Sequence, residues 1–138
     1  MTIATHINPE NLHSNPAFTQ AVRVPAGADL LYIGGQNGVD AHGQVVGADI
    51  GAQSRRALEN VQACLDAAGA SLDDVVKWTI LMVDGHDLYA GFGAFQEVWG
   101  GRPNPPAITV AKVAGLAVPG ALVEIEAVAA ISASSPVS

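Results

Sequence analysis

The stretch VVKWTILMV (residues 75–83) carries the clearest structural pattern in the chain. β-Branched and large apolar residues dominate it, as is typical of a pleated strand. Its alternation places Trp78, Ile80 and Met82 on one face and Lys77 and Thr79 on the other. The stretch therefore predicts a β-strand with two distinct faces.

Helices are predicted on both sides of this strand. Residues 50–68 carry apolar side chains at helical spacing, with Asp49 as the N-cap and Gly69 as the C-terminal stop. Residues 87–99 repeat large apolar side chains every three or four positions, a stripe more typical of core packing than of a ligand cage. Four more strands are predicted at residues 17–24, 29–34, 107–113 and 122–131, the first two as a hairpin around residues 25–28.

This order, β-β-α-β-α-β-β, predicts an α+β fold of two layers, a mixed sheet with two helices on one face. The length of 138 residues fits one domain, predicted over residues 1–131, followed by a polar tail at 132–138 that is predicted to be disordered. The other face of such an apolar sheet needs a cover, and we expect a partner subunit to supply it.

Composition excludes several classes of protein. Thirteen acidic against six basic residues give a net charge of −7, which argues against nucleic-acid binding. No apolar stretch reaches the ~20 residues of a membrane span. The single Cys64 cannot form an internal disulfide and is expected to be a small buried hydrophobe. Because no export signal is visible, we expect a cytoplasmic protein.

Two motifs could carry chemistry. GGQNG (residues 34–38) is either a turn that requires positive backbone angles or a loop whose amide groups face a ligand. Glu124 and Glu126 point to one face of a strand, so one of them is a candidate acid or base if that face lines a cleft, and both are surface charges if it faces solvent. The four histidines are scattered and make no metal-ligand spacing with Cys64, so no metal or cofactor is expected.

Five segments, taken in order, resemble the YjgF/RidA family, also called endoribonuclease L-PSP. They are QAV (20–22), YIGGQ (32–36), Gln53 with LEN (58–60), AAGASLDDVVK (67–77) and VEIEA (123–127). The resemblance runs from about residue 8 to residue 131. It implies a chorismate-mutase-like fold, assembled as a homotrimer with three clefts between subunits. Its best-known members hydrolyse 2-aminoacrylate-type enamines and imines to 2-oxo acids and ammonia without a metal or organic cofactor.

The resemblance also implies a site, in which Glu124 is the one residue that matches the family pattern. The arginine that binds the substrate carboxylate in those members is replaced here by Ile108, which removes a bidentate partner. Arg102 is a candidate replacement anchor from the loop at 102–106. The predicted site comprises Glu124 as the catalytic residue and, for substrate binding, Phe18, Gly34, Gly35, Gln36, Phe92, Ile108 and Arg102.

Three functions follow as alternatives. The first is a RidA-like homotrimer that binds or processes a small, weakly anionic metabolite in the clefts between subunits. The second is an imine deaminase with Arg102 as a relocated anchor, and the third is a non-catalytic ligand-binding or chaperone-like module. An endoribonuclease ranks last, because an acidic chain without a basic groove offers RNA little to bind.

Overall fold

The predicted strand at residues 75–83 lies inside a four-stranded mixed sheet. In the computed structural model, which describes residues 2–133, this strand is β4 (Val75–Val83). It pairs in parallel with β5 (Ala107–Val113) and antiparallel with β6 (Val123–Ile131). The sheet is completed by β3 (Asp29–Gln36), which pairs antiparallel with β6, so the strand order is β3-β6-β4-β5.

Two helices cover one face of this sheet. α1 spans Ile50–Ala67 and α2 spans Leu88–Trp99, and both pack on the buried faces of β4 and β6. A crossover is required between the parallel strands β4 and β5, and α2 provides it. The expected two-layer α+β fold is therefore confirmed.

The helix ends follow their sequence signals. The side chain of Asp49 accepts a hydrogen bond from the backbone N–H of Ala52 at 2.9 Å, and Asp87 caps α2 in the same way. Gly69 follows α1 with a φ of +73°, a conformation that favours glycine. A short 3₁₀ turn (Leu72–Asp74) then leads into β4.

The predicted hairpin is wrong. β2 is only three residues long (Ala21–Arg23) and pairs with β1 (Thr5–Ile7), while β3 pairs with β6. Next to β6, Ile33 of β3 reaches the core, a burial that pairing with the exposed β2 would not provide. The three residues of β1 are too few to show an alternating pattern, which is why sequence analysis missed this strand.

The face of the sheet opposite the helices is open. It presents apolar and polar side chains together, and Tyr32 on β3 is 73% exposed there. A shallow cavity of about 390 Å³ lies on it. The residues that line this cavity are Tyr32, Ile33, Gly34, Lys77, Thr79, Glu126, Ala127 and Val128.

Three further expectations concern Cys64, membrane-spanning helices and the C-terminal tail. Cys64 is half-buried and packs against the core. Over residues 2–133, neither helix combines the length and apolarity that crossing a membrane requires. Most of the predicted disordered tail, residues 134–138, lies outside the described residues.

Candidate functional site

Glu124 on β6 lies directly beside the glycine pair at the end of β3. A β-carbon built on Gly35 would stand 2.6 Å from Oε2 of Glu124 and 2.8 Å from its Cγ. Any other residue at position 35 would therefore displace the carboxylate. The half-buried side chain of Glu124 lies on the open face of the sheet, because its register partner on β4 is Leu81 and not one of the buried residues.

Asn37 holds this carboxylate from the other side. Its buried amide Nδ2 donates to the backbone carbonyl of Val123 at 2.9 Å and to Oε1 of Glu124 at 3.4 Å. Its own backbone carbonyl accepts a hydrogen bond from Nδ2 of Asn60 on α1 at 3.1 Å. This chain of contacts ties the orientation of the carboxylate to the first helix.

The glycine-rich segment is not the positive-angle turn that was one of its two interpretations. Gly34 and Gly35 lie within β3, and neither they nor Gly38 has a positive φ. At Gly38 the glycine is needed for close approach, since a β-carbon there would stand 2.6 Å from the backbone Cα of Gln53. The alternative interpretation, a segment whose amide groups face a ligand, stays a prediction. In this structure the side-chain amide of Gln36 donates a hydrogen bond to the carbonyl of Gly34 at 3.1 Å.

Gln53 fixes the start of β6 from inside the molecule. This side chain is 1% exposed, and its Oε1 accepts a hydrogen bond from the backbone N–H of Leu122 at 2.8 Å. Its Nε2 donates to the carbonyls of Gly47 and Gly120 at 3.3 and 3.2 Å. Gln53 thereby positions the backbone two residues before Glu124.

A second group of predicted residues lies on the helix side of the sheet. Phe18, Phe92 and Ile108 line one cavity of about 650 Å³ between α2, β5 and the segment before β2. The aromatic stripe of α2 contributes Phe95 and Trp99 to the same cavity, so it does more than fill the core. Sequence analysis had not marked Phe95 and Trp99 as site residues, although their helical spacing with Phe92 was the available signal.

Arg102 is engaged elsewhere. Its Nη1 donates to the carbonyls of Val98 and Trp99 at 3.1 and 2.9 Å, where α2 ends. Its Nε lies 3.4 Å from Oδ1 of Asp73, and the guanidinium carbon lies 5.9 Å from the centre of the Trp99 ring. It is not among the described residues that line the cavity with Ile108.

The predicted site residues therefore form two groups within one chain. The first group lies around the end of β3 and on β6 and consists of Glu124, Gly34, Gly35 and Gln36. By strand register Glu124 lies on the open face, but among the described residues that line the open-face cavity the glutamate is Glu126. Phe18, Phe92 and Ile108 line the cavity on the helix side of β5. Across residues 2–133, no cluster of three or more His, Cys, Asp and Glu side chains is placed to hold a metal ion.

The fold places the chain in the class of α+β proteins with a chorismate-mutase-like fold. Comparison with known proteins identifies its family. The Endoribonuclease L-PSP family matches residues 9–131. The chain therefore belongs to this family, whose members are also called RidA or YjgF proteins.

Individual relatives agree with this assignment. A RutC family protein of Pyrococcus abyssi is 34% identical over 114 residues, which cover 81% of this chain and 84% of that protein. A rat (Rattus norvegicus) protein named 2-iminobutanoate/2-iminopropanoate deaminase is 36% identical over 116 residues, covering 82% of this chain and 79% of the relative. The crystal structure of YyfB, a Rid family protein from Yersinia pestis, superposes with a TM-score of 0.76 at 29% identity, covering 93% of this chain and 98% of that one.

Proposed function

We propose that this chain forms a homotrimer that binds or processes a small, weakly anionic metabolite in the clefts between its subunits, with Glu124 as the acid or base. The observation that carries the proposal is the close position of the Glu124 carboxylate beside Gly35 on an open sheet face. A functional carboxylate needs a fixed position and access to its ligand, and this arrangement supplies both.

The open sheet face supports assembly. Tyr32 and Leu30 on β3 are 73% and 48% exposed, and both are large apolar or aromatic side chains. Contiguous exposed apolar surface usually marks an interface. Contact between subunits through this face would cover these side chains and would bring a neighbouring surface next to Glu124.

The chemistry that suits Glu124 is addition of water to a carbon–nitrogen double bond. The carboxylate accepts a proton from the attacking water while the oxygen bonds to the imine carbon. That proton passes to the nitrogen and gives a carbinolamine. The carboxylate then takes the hydroxyl proton and delivers it to the nitrogen, and the C–N bond breaks to release ammonia as the carbonyl group forms. Atoms and charges balance without a cofactor, since one imine and one water give one carbonyl compound and one ammonia.

The ligand is proposed to be weakly anionic because of Ile108. This residue stands where the family resemblance places a carboxylate-binding arginine, and a branched alkyl chain offers a carboxylate no hydrogen bond. The net charge of −7 adds a general repulsion of anions.

The test is release of ammonia from two substrates that differ in charge. We expect the full chain to prefer 2-iminopropanamide to 2-iminopropanoate, and Glu124→Gln to lose turnover by about 10²–10⁴-fold. Glu126→Gln is the matched control, because Glu126 is the exposed glutamate two residues along the same face. Robust hydrolysis that survives Glu124→Gln would refute this role.

A second candidate is an imine deaminase of ordinary substrate preference, favoured by the names of the relatives at 36% identity. It needs Arg102 as the carboxylate anchor, and Arg102 would have to leave Asp73 and the end of α2. If Arg102→Ala leaves hydrolysis of 2-iminopropanoate unchanged, this candidate loses its anchor.

A further inference from the structure

The cavity on the helix side of the sheet has a chemical character that points to its ligand. We propose that it binds an uncharged, flat aromatic molecule. This inference deepens the proposed function, because it names the class of ligand for the half of the cleft that contains Ile108. It rests on features of a single chain.

The size of the cavity suits a small molecule. Its volume is about 650 Å³, and sites for small organic ligands span roughly 300–1,000 Å³. Trp78 and Ile80 line it from β4 and are 3% and 2% exposed. Residues so deeply packed in the core do not yield readily, so this part of the cavity is preformed.

Two pairs of aromatic rings line the cavity, and one of them is held by the buried Trp78, whereas Tyr89 of the other pair is 83% exposed. Phe95 meets Trp78 edge to face, with ring centres 5.7 Å apart and planes at 86°. Phe92 meets Tyr89 in the same manner, at 6.4 Å and 80°. Aromatic rings prefer offset or edge-to-face contacts with one another, so the rings of Phe95 and Trp78 offer a flat aromatic ligand defined partners.

The polar groups of the cavity are few and neutral. Of the described residues that line it, none carries a charged side chain. Gln96 lines the wall, and its side-chain amide makes no hydrogen bond to another described residue. An amide of this kind can donate to and accept from one polar group on an otherwise apolar ligand.

A carboxylate on the same ring would be disfavoured. Burial of a charge without a partner costs far more than burial of a hydrogen-bonded neutral group. Ile108 and Val110 present alkyl groups along β5. The cavity therefore selects against anions and selects for neutral rings.

The experiment is a binding titration, by calorimetry, with indole-3-carboxamide and indole-3-carboxylate. These probes share ring and shape and differ in charge. We expect the carboxamide to bind at least about tenfold more tightly to the full chain. Equal binding, tighter binding of the carboxylate, or no binding of the carboxamide would overturn the proposal.

Arginine substitutions in the cavity wall show whether the probes enter this cavity. Ile108→Arg and Val110→Arg each place a guanidinium on its wall, and Val110 is 41% exposed, so the second variant tolerates the longer side chain. Both are expected to erase or reverse the preference, whereas Leu12→Arg adds the same charge at an exposed residue outside the cavity and should retain it. Persistence of the preference in Val110→Arg would overturn the assignment to this cavity.

The outcome is separable from that of the proposed function. The titration measures binding and needs neither turnover nor Glu124. Absence of ammonia release with retained carboxamide binding would count against the proposed chemistry and would leave this inference standing. Retained Glu124-dependent release from 2-iminopropanamide in preference to 2-iminopropanoate, with no carboxamide binding, would overturn this inference alone.

Discussion

Oε2 of Glu124 lies so close to the backbone of Gly35 that a β-carbon on Gly35 would stand 2.6 Å from it. The same carboxylate meets the amide of Asn37 at 3.4 Å through its other oxygen. Gly35 thus leaves the space that one carboxylate oxygen occupies, and Asn37 hydrogen-bonds to the other. This arrangement is the structural basis for giving Glu124 the central role.

Gly35→Ala is expected to displace the carboxylate without unfolding the protein. The displaced atoms belong to the end of a flexible side chain, so the change in unfolding free energy should be small, while the ¹³C shift of the Glu124 carboxyl carbon should move. Gly34→Ala is the matched control, because a β-carbon at position 34 meets nothing within 4 Å. Equal shifts in the two variants would contradict the contact.

Gly91 and Gly93 form a second matched pair on α2. Alanine favours a helix over glycine by about 1 kcal/mol, so Gly93→Ala, with open space around it, should raise the unfolding free energy by up to that amount. At Gly91 the new methyl group would stand 2.7 Å from Cε of the fully buried Met82 and 3.2 Å from Oγ of Ser54. Overpacking of this kind costs about 1–3 kcal/mol.

In urea unfolding, the unfolding free energy of Gly91→Ala should therefore be lower than that of the wild type by up to about 2 kcal/mol, and that of Gly93→Ala should be higher. An equal increase in unfolding free energy in both variants would refute the close packing of α1, α2 and β4 around Gly91.

Gln53→Leu should destabilise the protein by about 3 kcal/mol. The substitution replaces the amide with an apolar group of similar size and leaves the N–H of Leu122 and the carbonyls of Gly47 and Gly120 without their partner. Gln62→Leu makes the same change on the same helix at a side chain that has no hydrogen bond to another described residue, and should stay within about 0.5 kcal/mol of the wild type in the same urea experiment. A loss as large at position 62 would contradict the account.

The stability of the fold should fall in mild acid because of His6. Burial lowers the pKa of this imidazole, against a smaller raising effect from the backbone of Ala4, and its Nε2 is buried without a hydrogen-bond partner in residues 2–133. The unfolded chain then binds the proton more readily, so the contribution is complete above pH about 6.5 and is lost as the pH falls through the lower folded pKa.

The midpoint of thermal unfolding should accordingly fall less between pH 7.5 and 5.5 in His6→Gln than in the wild type. His42→Gln, at an exposed turn, should follow the wild type. A wild-type pH dependence unchanged by His6→Gln would show that His6 does not contribute.

Sequence predicted the fold well where its signals were local. The alternation of residues 75–83, the caps at Asp49 and Asp87 and the stop at Gly69 all depend on neighbouring residues, and each predicted element occurs. The hairpin failed because strand pairing is not local. Proximity in sequence favoured β2 with β3, whereas burial of Ile33 favours β3 with β6.

The candidate site was predictable in its residues but not in their arrangement. Same-face placement of Glu124 and Glu126 follows from strand geometry. The close approach of Gly35 to Glu124 depends on the pairing of β3 with β6. The hydrogen bonds of Gln53 reach Gly120 and Leu122, which follow it in the chain by 67 and 69 positions. Such contacts leave no periodic mark in a single sequence.

The central claim is a homotrimer with its site in the clefts between subunits, and it requires the two groups of site residues, which line different parts of one chain, to meet across subunits. Cross-linking of a Gly34→Cys, Phe92→Cys variant with a short bis-maleimide, in a Cys64→Ser background, tests this directly, with the two single-cysteine variants as controls. We predict covalent dimers and trimers of the double variant on a denaturing gel, beyond those of either control. Single chains alone would contradict the account.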